Sequence, residues 1–269
     1  MSLPLFFCSF LFGLSPLFAQ KATQVQTKVN LVAWGNSVPG LTLKAPSGKT
    51  TKALSFSYNE SLSYSGPRIL AIYQIETDEP APTDEDDEDE PVEETRPIRP
   101  DKKIDISKSS NPLVKALFER REKEPELVSL VELPADSRHV TVLLAPASEG
   151  TFQPYVIDDD PRKLPKGKLR VHNLSAIPVR IEQIRGKQRC QLEPRDKFVF
   201  NSDERNRFVY RVSYKSGEKW KVQTNNSIRV PENEQTQLVV LKSESQFFVS
   251  SDGSQQGFLQ FALLRRKVE

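Results

Sequence analysis

Short segments in which apolar and polar residues alternate recur along most of this chain of 269 residues. From residue 53 to 58, for example, the even positions carry large apolar side chains and the serines between them lie on the other face. A period of two residues between turns that contain Gly or Pro is typical of strands with one buried face. The pattern therefore predicts an all-β fold built from many short strands.

The predicted strands fall into two groups on either side of an acidic, proline-containing connector at residues 158–168. The first group is residues 25–34, 41–44, 53–58, 68–75, 126–133, 139–145 and 152–157. The second group is residues 169–173, 179–184, 197–201, 207–215, 219–224, 236–242, 245–250 and 258–264. This arrangement, with no long helix, predicts two antiparallel β-sandwich-like modules at residues 20–160 and 161–269.

The segment 76–110 interrupts the first group and contains many acidic residues and prolines. Between residues 76 and 94 there are 12 acidic residues and no Lys or Arg, so the rest of the chain carries 38 basic against 36 − 12 = 24 acidic residues. A segment with so little to bury cannot offset its ordering entropy, and we predict a disordered acidic insertion at 76–110.

A short helix is predicted at residues 111–124. Asn111 is a favourable N-cap, and Pro112 suits the first helical position. Apolar residues four positions apart form one stripe along this helix. We expect the stripe to pack on the first module, and a docking helix for a partner is the alternative.

The N-terminal residues 1–19 are uncharged and largely apolar, but the apolar run is shorter than a membrane span. We interpret them as a signal peptide cleaved after Ala19, with an uncleaved anchor as the alternative. The prediction is an exported, periplasmic or extracellular protein that does not span the membrane. Cleavage would leave Cys190 as the only cysteine, which we interpret as a buried small hydrophobic residue; a reactive thiol is the alternative.

A basic face is predicted on the hairpin of residues 207–224. Arg207, Arg211 and Lys215 alternate with aromatic and apolar residues, which are expected to be buried. A three-residue loop at 216–218 would place Lys219 opposite Lys215 and Tyr214 opposite Trp220. The candidate anion-binding face therefore consists of five residues: Arg207, Arg211, Lys215, Lys219 and Lys221. The alternative is a solvated face that discourages edge pairing.

The orientation of the aromatic residues narrows the predicted partners of this face. Proteins that bind single-stranded nucleic acid use solvent-facing aromatic residues for base stacking, whereas we expect the aromatic residues of this hairpin to point inward. We therefore predict no nucleic-acid partner, and instead an anionic envelope polymer or another envelope protein. An intramolecular contact with the acidic tract 76–94 is a further possibility.

Candidate catalytic and metal-binding groups are few. The two histidines, His139 and His172, lie in different predicted modules, and no nucleophile, phosphate-loop or Cys/His metal motif occurs. We predict no catalytic residues, cofactor or metal, and therefore a non-enzyme. Three consecutive carboxylates, Asp158 to Asp160, cannot all face inward from a strand-like connector, so we interpret them as a solvated linker, with a Ca²⁺ site as the alternative.

One stretch carries a resemblance to a known group of proteins. The order is Val-Glu-Leu-Pro at 131–134, an apolar strand at 140–146, the Asp-rich turn, Leu-Pro-x-Gly at 164–167, Asn-Leu-Ser at 173–175 and Pro-Val at 178–179. It resembles uncharacterised exported bacterial proteins with paired β-sandwich modules, which implies architecture and export only. The Leu-Pro and Asn-x-Ser elements are also similar to periplasmic pilus chaperones.

These observations predict a non-enzymatic exported envelope protein whose β-sandwich modules bind a surface polymer or another envelope protein, or serve a structural role. A periplasmic assembly factor that pairs a strand with a client is one alternative, which a long exposed hydrophobic edge strand would favour. A hydrolase with an unrecognised site is another, which a deep pocket lined by carboxylates would favour.

Overall fold

The structure is a computed structural model that describes residues 24–44, 48–75, 111–242 and 259–267. The predicted signal peptide 1–19, the predicted disordered insertion 76–110 and the predicted strand 245–250 lie outside the described residues. Within the described parts of the chain, no helix is long and apolar enough to cross a membrane.

The described residues form 16 strands, one α-helix and a short 3₁₀ turn at Ser148–Gly150. The first half contains β1 (Gln24–Ala33), β2 (Val38–Thr42), β3 (Thr51–Ser55), β4 (Leu62–Pro67), β5 (Ile69–Gln74), α1 (Pro112–Arg121), β6 (Leu127–Glu132), β7 (His139–Pro146) and β8 (Phe152–Asp158). The second half contains β9 (Lys168–Asn173), β10 (Val179–Gln183), β11 (Arg189–Leu192), β12 (Lys197–Asn201), β13 (Arg207–Ser216), β14 (Lys219–Arg229), β15 (Glu234–Lys242) and β16 (Leu259–Lys267).

The all-β fold predicted from the alternation is confirmed, with two additions to the strand list. No strand was predicted at residues 62–67, where β4 pairs with β1, or at residues 189–192, where β11 pairs with β10. Pairing is also not purely antiparallel, because β1 runs parallel to β3 and β7, and β9 runs parallel to β15.

Strands β1–β8 form one sheet in the order β6-β5-β2-β3-β1-β7-β8, with β4 also on β1. One core cluster contains Val29 and Val142 from β1 and β7 together with Leu70 and Val131 from β5 and β6. Strands so far apart in the sheet can share a core only if the sheet curls over on itself. The edge strands β6 and β8 approach each other, since the Ser129 hydroxyl donates to the carbonyl of Phe152 at 3.2 Å.

The helix α1 packs on this curled sheet. Asn111 caps it, its side chain accepting a hydrogen bond from the backbone N–H of Leu113 at 3.0 Å. Val114 and Leu117 are buried in a cluster with Leu127 from β6. The prediction that the helix packs on its own module is confirmed.

Strands β9–β16 form two four-stranded sheets, β11-β10-β13-β14 and β12-β9-β15-β16. Their facing sides enclose a second core cluster that includes Ile181 and Phe208 from the first of these sheets and Val171 and Leu238 from the second. This is the layer arrangement of a β-sandwich.

A third apolar cluster joins the two halves of the chain. Val32 and Leu143 of the curled sheet pack with Val239 and Leu264 of the sheet that contains β15 and β16. The Trp34 indole N–H, in the same cluster, donates to the side-chain oxygen of Gln260 at 3.1 Å. We call this contact between β1/β7/β8 and β9/β15/β16 the joint. The sheet β11-β10-β13-β14 has its inner side on the second core, which leaves its other side as an outer face.

Candidate anion-binding face

The β13–β14 hairpin has a different register from the predicted one. Ser216 pairs with Lys219, which leaves the two-residue loop Gly217-Glu218, and Lys215 therefore lies opposite Trp220. Gly217 has a φ of 60°, the conformation that a two-residue hairpin turn with Gly in first place requires. The predicted three-residue loop was wrong.

A bulge between Val212 and Ser213 compensates for the shorter loop. Ser213 pairs with Val222 and Val212 pairs with Thr224, so Gln223 is the extra residue on β14. Beyond the bulge, Phe208 again faces Ile228, and both are buried. One inserted residue thus lets the far end of β14 contribute to the core while its near end turns Trp220 to the outer face.

The five predicted residues are consequently divided between two faces. Residues directly opposite in an antiparallel pair share a face, so Arg207, Arg211 and Lys215 lie together on the outer face. Lys219 and Lys221 alternate with Trp220 and lie on the other face, where Lys221 is opposite Tyr214. Their assignment to the same face as Lys215 is corrected.

The outer face contains further cations that sequence reasoning missed. Its basic residues are Arg180, Arg189, Arg207, Arg211, Lys215 and Arg229. Within the four strands of this sheet Glu182 is the only acidic residue; its carboxylate lies 2.9 Å from Arg189 and 4.0 Å from Arg211. Arg180 could have been found from the alternation in β10, where it is flanked by the buried Val179 and Ile181.

Trp220 lies among these cations, half-buried on the outer face. The guanidinium carbon of Arg180 is 4.0 Å from the centre of its ring, a cation–π arrangement. Val222, two residues further on the same strand, is 58% exposed. The prediction that Trp220 is buried with the other aromatic residues is wrong, and a partly exposed indole with an apolar neighbour lies within the basic surface.

Neutral side chains hold two of these cations in place. The Arg211 Nε–H donates to the side-chain oxygen of Asn225 at 3.0 Å, and Arg207 donates to the Ser227 hydroxyl at 3.4 Å. Among the described residues, Arg207 and Lys215 have no carboxylate within salt-bridge distance. This surface can therefore attract an anion without first breaking strong internal ion pairs.

The Asp158–Asp160 connector is a packed part of the joint, and its interpretation as a solvated linker is wrong. Asp159 and Asp160 are fully buried. Asp158 accepts hydrogen bonds from the Ser137 hydroxyl at 2.6 Å and the Lys163 ammonium at 2.7 Å. The three carboxylates can all be satisfied because each meets partners from a different direction.

Asp159 is the centre of a buried hydrogen-bond network across the joint. It accepts hydrogen bonds from the hydroxyls of Tyr58 and Thr141 and from the side-chain amide of Gln237. Gln237 in turn accepts from Nε2 of His172 at 2.7 Å. Burial raises the pKa of Asp159, partly offset by these donors, and it lowers the pKa of His172 to about 3.

Asp160 and Arg170 fix the connector itself. The Arg162 guanidinium holds the pKa of Asp160 well below its ordinary value, and the backbone N–H of Arg138 also donates to this carboxylate. Arg170, which is buried, donates at 2.6 Å to the carbonyls of Asp158 and Lys163. The described residues contain no group of three His, Cys, Asp or Glu that could hold a metal ion.

The remaining candidate residues also have ordinary structural contacts. His139 is half-buried, and its Nδ1 accepts from the Arg266 guanidinium at 2.8 Å, because arginine can only donate. Cys190 is half-buried against the second core, and desolvation raises the pKa of its thiol. A raised pKa leaves this cysteine mainly as the less nucleophilic thiol.

No protein-family model matches the sequence, and no curated protein matches it.

Proposed function

We propose that this protein is a non-enzymatic, exported envelope protein that binds an anionic surface polysaccharide through the outer face of the sheet β11-β10-β13-β14. The observation that carries the proposal is the collection of six basic residues and one carboxylate on the same face as the half-buried Trp220. Export rests on the uncharged apolar residues 1–19, which have the length of a signal peptide rather than of a membrane span.

The charge of this face supports an anionic ligand. Cations on one side of a sheet, with few carboxylates between them, raise the local potential and attract polyanions. Their spacing along β13, at every fourth residue from Arg207 to Lys215, gives a row that a linear polymer can follow.

The single aromatic residue supports a saccharide rather than a nucleic acid. Trp220 is the only aromatic side chain that β10, β11, β13 and β14 turn to this face. Binding of single strands uses several aromatic platforms for successive bases. One indole beside the exposed Val222 offers instead a limited apolar patch, against which the C–H face of a sugar ring can pack.

Two other features bear on the alternative functions. One pocket of the described residues is lined by Lys28, Lys44, Lys49 and Arg138, and no carboxylate is among its described lining residues, whereas a hydrolase was expected to have convergent carboxylates. The long edge strand β14 exposes mainly polar side chains, whereas strand pairing with a client was expected to use a hydrophobic edge. Both features favour a binding module.

The two faces of the hairpin permit a charge-matched test. Arg211→Gln with Lys215→Gln removes two cations from the outer face, and Lys219→Gln with Lys221→Gln removes two from the opposite face. At about 0.5–1 kcal/mol per exposed ionic contact, the first pair is expected to weaken binding of the full chain to dextran sulfate about tenfold. The second pair is expected to change it less than about twofold.

The same titration distinguishes the ligand classes. Trp220→Ala is expected to weaken dextran sulfate binding further, and uncharged dextran is not expected to bind. Equal losses in the two charge-matched variants would contradict the proposed face. Tighter binding of an oligothymidylate than of dextran sulfate at equal charge would contradict the saccharide.

A further inference from the structure

A second basic concavity lies in the first half of the chain, far along the sequence from the outer face. It has a volume of about 650 Å³, which is within the range of about 300–1,000 Å³ that small-molecule sites have. Its walls come from β1, β4 and the segments that follow β2 and precede β7.

The strand pairing brings its polar residues together. Lys28 lies directly opposite Ser63, and Gln26 lies opposite Ser65, so each pair shares one face of the β1–β4 ribbon. The backbone N–H of Lys28 donates to the carbonyl of Arg138 at 2.9 Å, which places Arg138 next to the ribbon.

The segment after β2 is fixed by its own hydrogen bonds. The Thr42 hydroxyl accepts from the backbone N–H of Lys44 at 3.3 Å and donates to the carbonyl of the same residue at 3.2 Å. Thr42 is almost completely buried, so its hydroxyl fixes the backbone of Lys44 at the wall and does not engage the Lys44 side chain. Such preorganisation reduces the entropy that a ligand must offset.

The charges of the wall are not balanced within the described residues. Lys49 forms a salt bridge with Glu60 at 2.9 Å. For Lys28, Lys44 and Arg138, the described parts of the chain supply no carboxylate within salt-bridge distance, and none of the described residues that line the concavity is acidic. Among the described residues, three basic side chains of the wall thus lack a carboxylate partner and can contact an anion. Leu43 and Leu62 add an apolar part to the wall.

We infer that this concavity binds a small molecule of monosaccharide size that carries one anionic group, a carboxylate or a phosphate. The cations would bind the anionic group, and the serine hydroxyls and Gln26 would bind the hydroxyls of the molecule. The inference is independent of the polymer-binding face, because the two surfaces share no residue.

Calorimetric titration of the full chain tests this inference with defined probes. Glucuronate and glucose 6-phosphate represent the two anionic groups, inorganic phosphate lacks the sugar, and glucose lacks the charge. We expect a Kd of about 1 mM or tighter for at least one of the two charged sugars, and no measurable binding of glucose. Binding of both charged sugars with a Kd weaker than about 1 mM would overturn the inference. Inorganic phosphate binding as tightly as glucose 6-phosphate would overturn the sugar part of it.

Two kinds of variant establish the location. Lys28→Gln with Arg138→Gln is expected to weaken binding at least tenfold, while Lys123→Gln with Lys166→Gln, which removes the same charge from exposed positions elsewhere, leaves it unchanged. Ser65→Tyr fills the concavity without a charge change and is expected to abolish binding. Equal losses in the two charge-matched pairs would overturn the site. Dextran sulfate binding of all these variants, which the outer face determines, should remain intact and thereby separates this inference from the proposed function.

Discussion

The joint and the outer face both contain several charged residues, but their surroundings are opposite. At the joint, Asp159 and Asp160 are fully buried, and each accepts hydrogen bonds from several donors. On the outer face, Arg207 and Lys215 are exposed and, among the described residues, lack a carboxylate partner. Burial requires that a charge be compensated within the fold, whereas exposure does not.

The comparison separates structural charge from binding charge. A buried carboxylate with its donors fixes the relative position of the two halves of the chain, since its partners come from both. Tyr58 and Thr141 belong to the first half and Gln237 to the second. The cations of the outer face fix nothing of this kind, and their removal is expected to affect binding more than stability.

The largest decrease in the free energy of unfolding is expected from Asp159→Ala. The substitution leaves the hydroxyls of Tyr58 and Thr141 and the amide of Gln237 without their acceptor in a buried region. Each buried donor left without a partner costs about 1–3 kcal/mol, so the loss of the acceptor of three donors is expected to cost at least about 3 kcal/mol. Urea denaturation should show this loss in the free energy of unfolding.

Asp136→Ala provides the control for that measurement. Asp136 also forms an ion pair with Lys163, at 3.2 Å, but its side chain is 78% exposed. An exposed pair contributes about 0–1 kcal/mol, so the control should be close to the unsubstituted protein. If the two variants lost the same stability, burial would not be what distinguishes the joint.

A smaller change in the free energy of unfolding is expected when the pH is lowered, because of His172. Its pKa is about 3 in the folded protein, against 6.5 ordinarily, because burial disfavours the imidazolium. Between pH 6.5 and about 3, the unfolded chain therefore binds a proton that the folded chain does not, and stability falls as the pH falls. The slope is about 1.4 kcal/mol per pH unit, or about 2 kcal/mol between pH 6.5 and pH 5.

His172→Gln isolates this contribution. The glutamine amide can still donate to Gln237, but it does not titrate. The unfolding free energies of the unsubstituted protein and the variant should therefore converge or cross as the pH falls from 7 to 5. The contributions of the carboxylates are the same in both proteins and cancel in the difference. A difference that stays constant over this interval would show that His172 is not held neutral by burial.

The outer face and the joint also differ in what the sequence could predict. The alternation of Arg207 to Lys215 correctly placed the three cations of β13 on one face, because a strand has a fixed period of two. The alternation could not fix the register with β14, since Lys219-Trp220-Lys221 alternates equally well whether Trp220 or the two lysines share a face with Lys215. The two-residue loop at Gly217-Glu218 decides which residues of β14 face outward, and the bulge at Gln223 and the Arg180–Trp220 contact that accompany it depend on neighbouring strands.

The burial of the three carboxylates at the joint could not be predicted from the sequence for a related reason. Three adjacent carboxylates cannot face one side of a strand, and this geometric argument led to the solvated interpretation. The partners that satisfy them, such as Ser137 for Asp158 and Gln237 for Asp159, are 21 and 78 residues away. A local pattern gave the all-β class and the cap of α1, whereas compensation of buried charge depends on long-range pairing.

The smallest effect on stability is expected at the hairpin turn that decides which residues of β14 lie on the outer face. Gly217 has a φ of 60°, and a Cβ there would meet no atom within 4 Å, so Gly217→Ala should cost only the backbone strain of about 1 kcal/mol. Gly217→Asn should cost less, because asparagine tolerates this conformation. Gly150→Ala, at a φ of 70° and with equal space around it, is the matched control in the first half of the chain. Both alanine variants should lose similar stability, but only Gly217→Ala should weaken dextran sulfate binding, because strain in its turn would displace the nearby Lys215–Trp220 pair. Equal binding by the two would mean that the hairpin turn does not position the outer face.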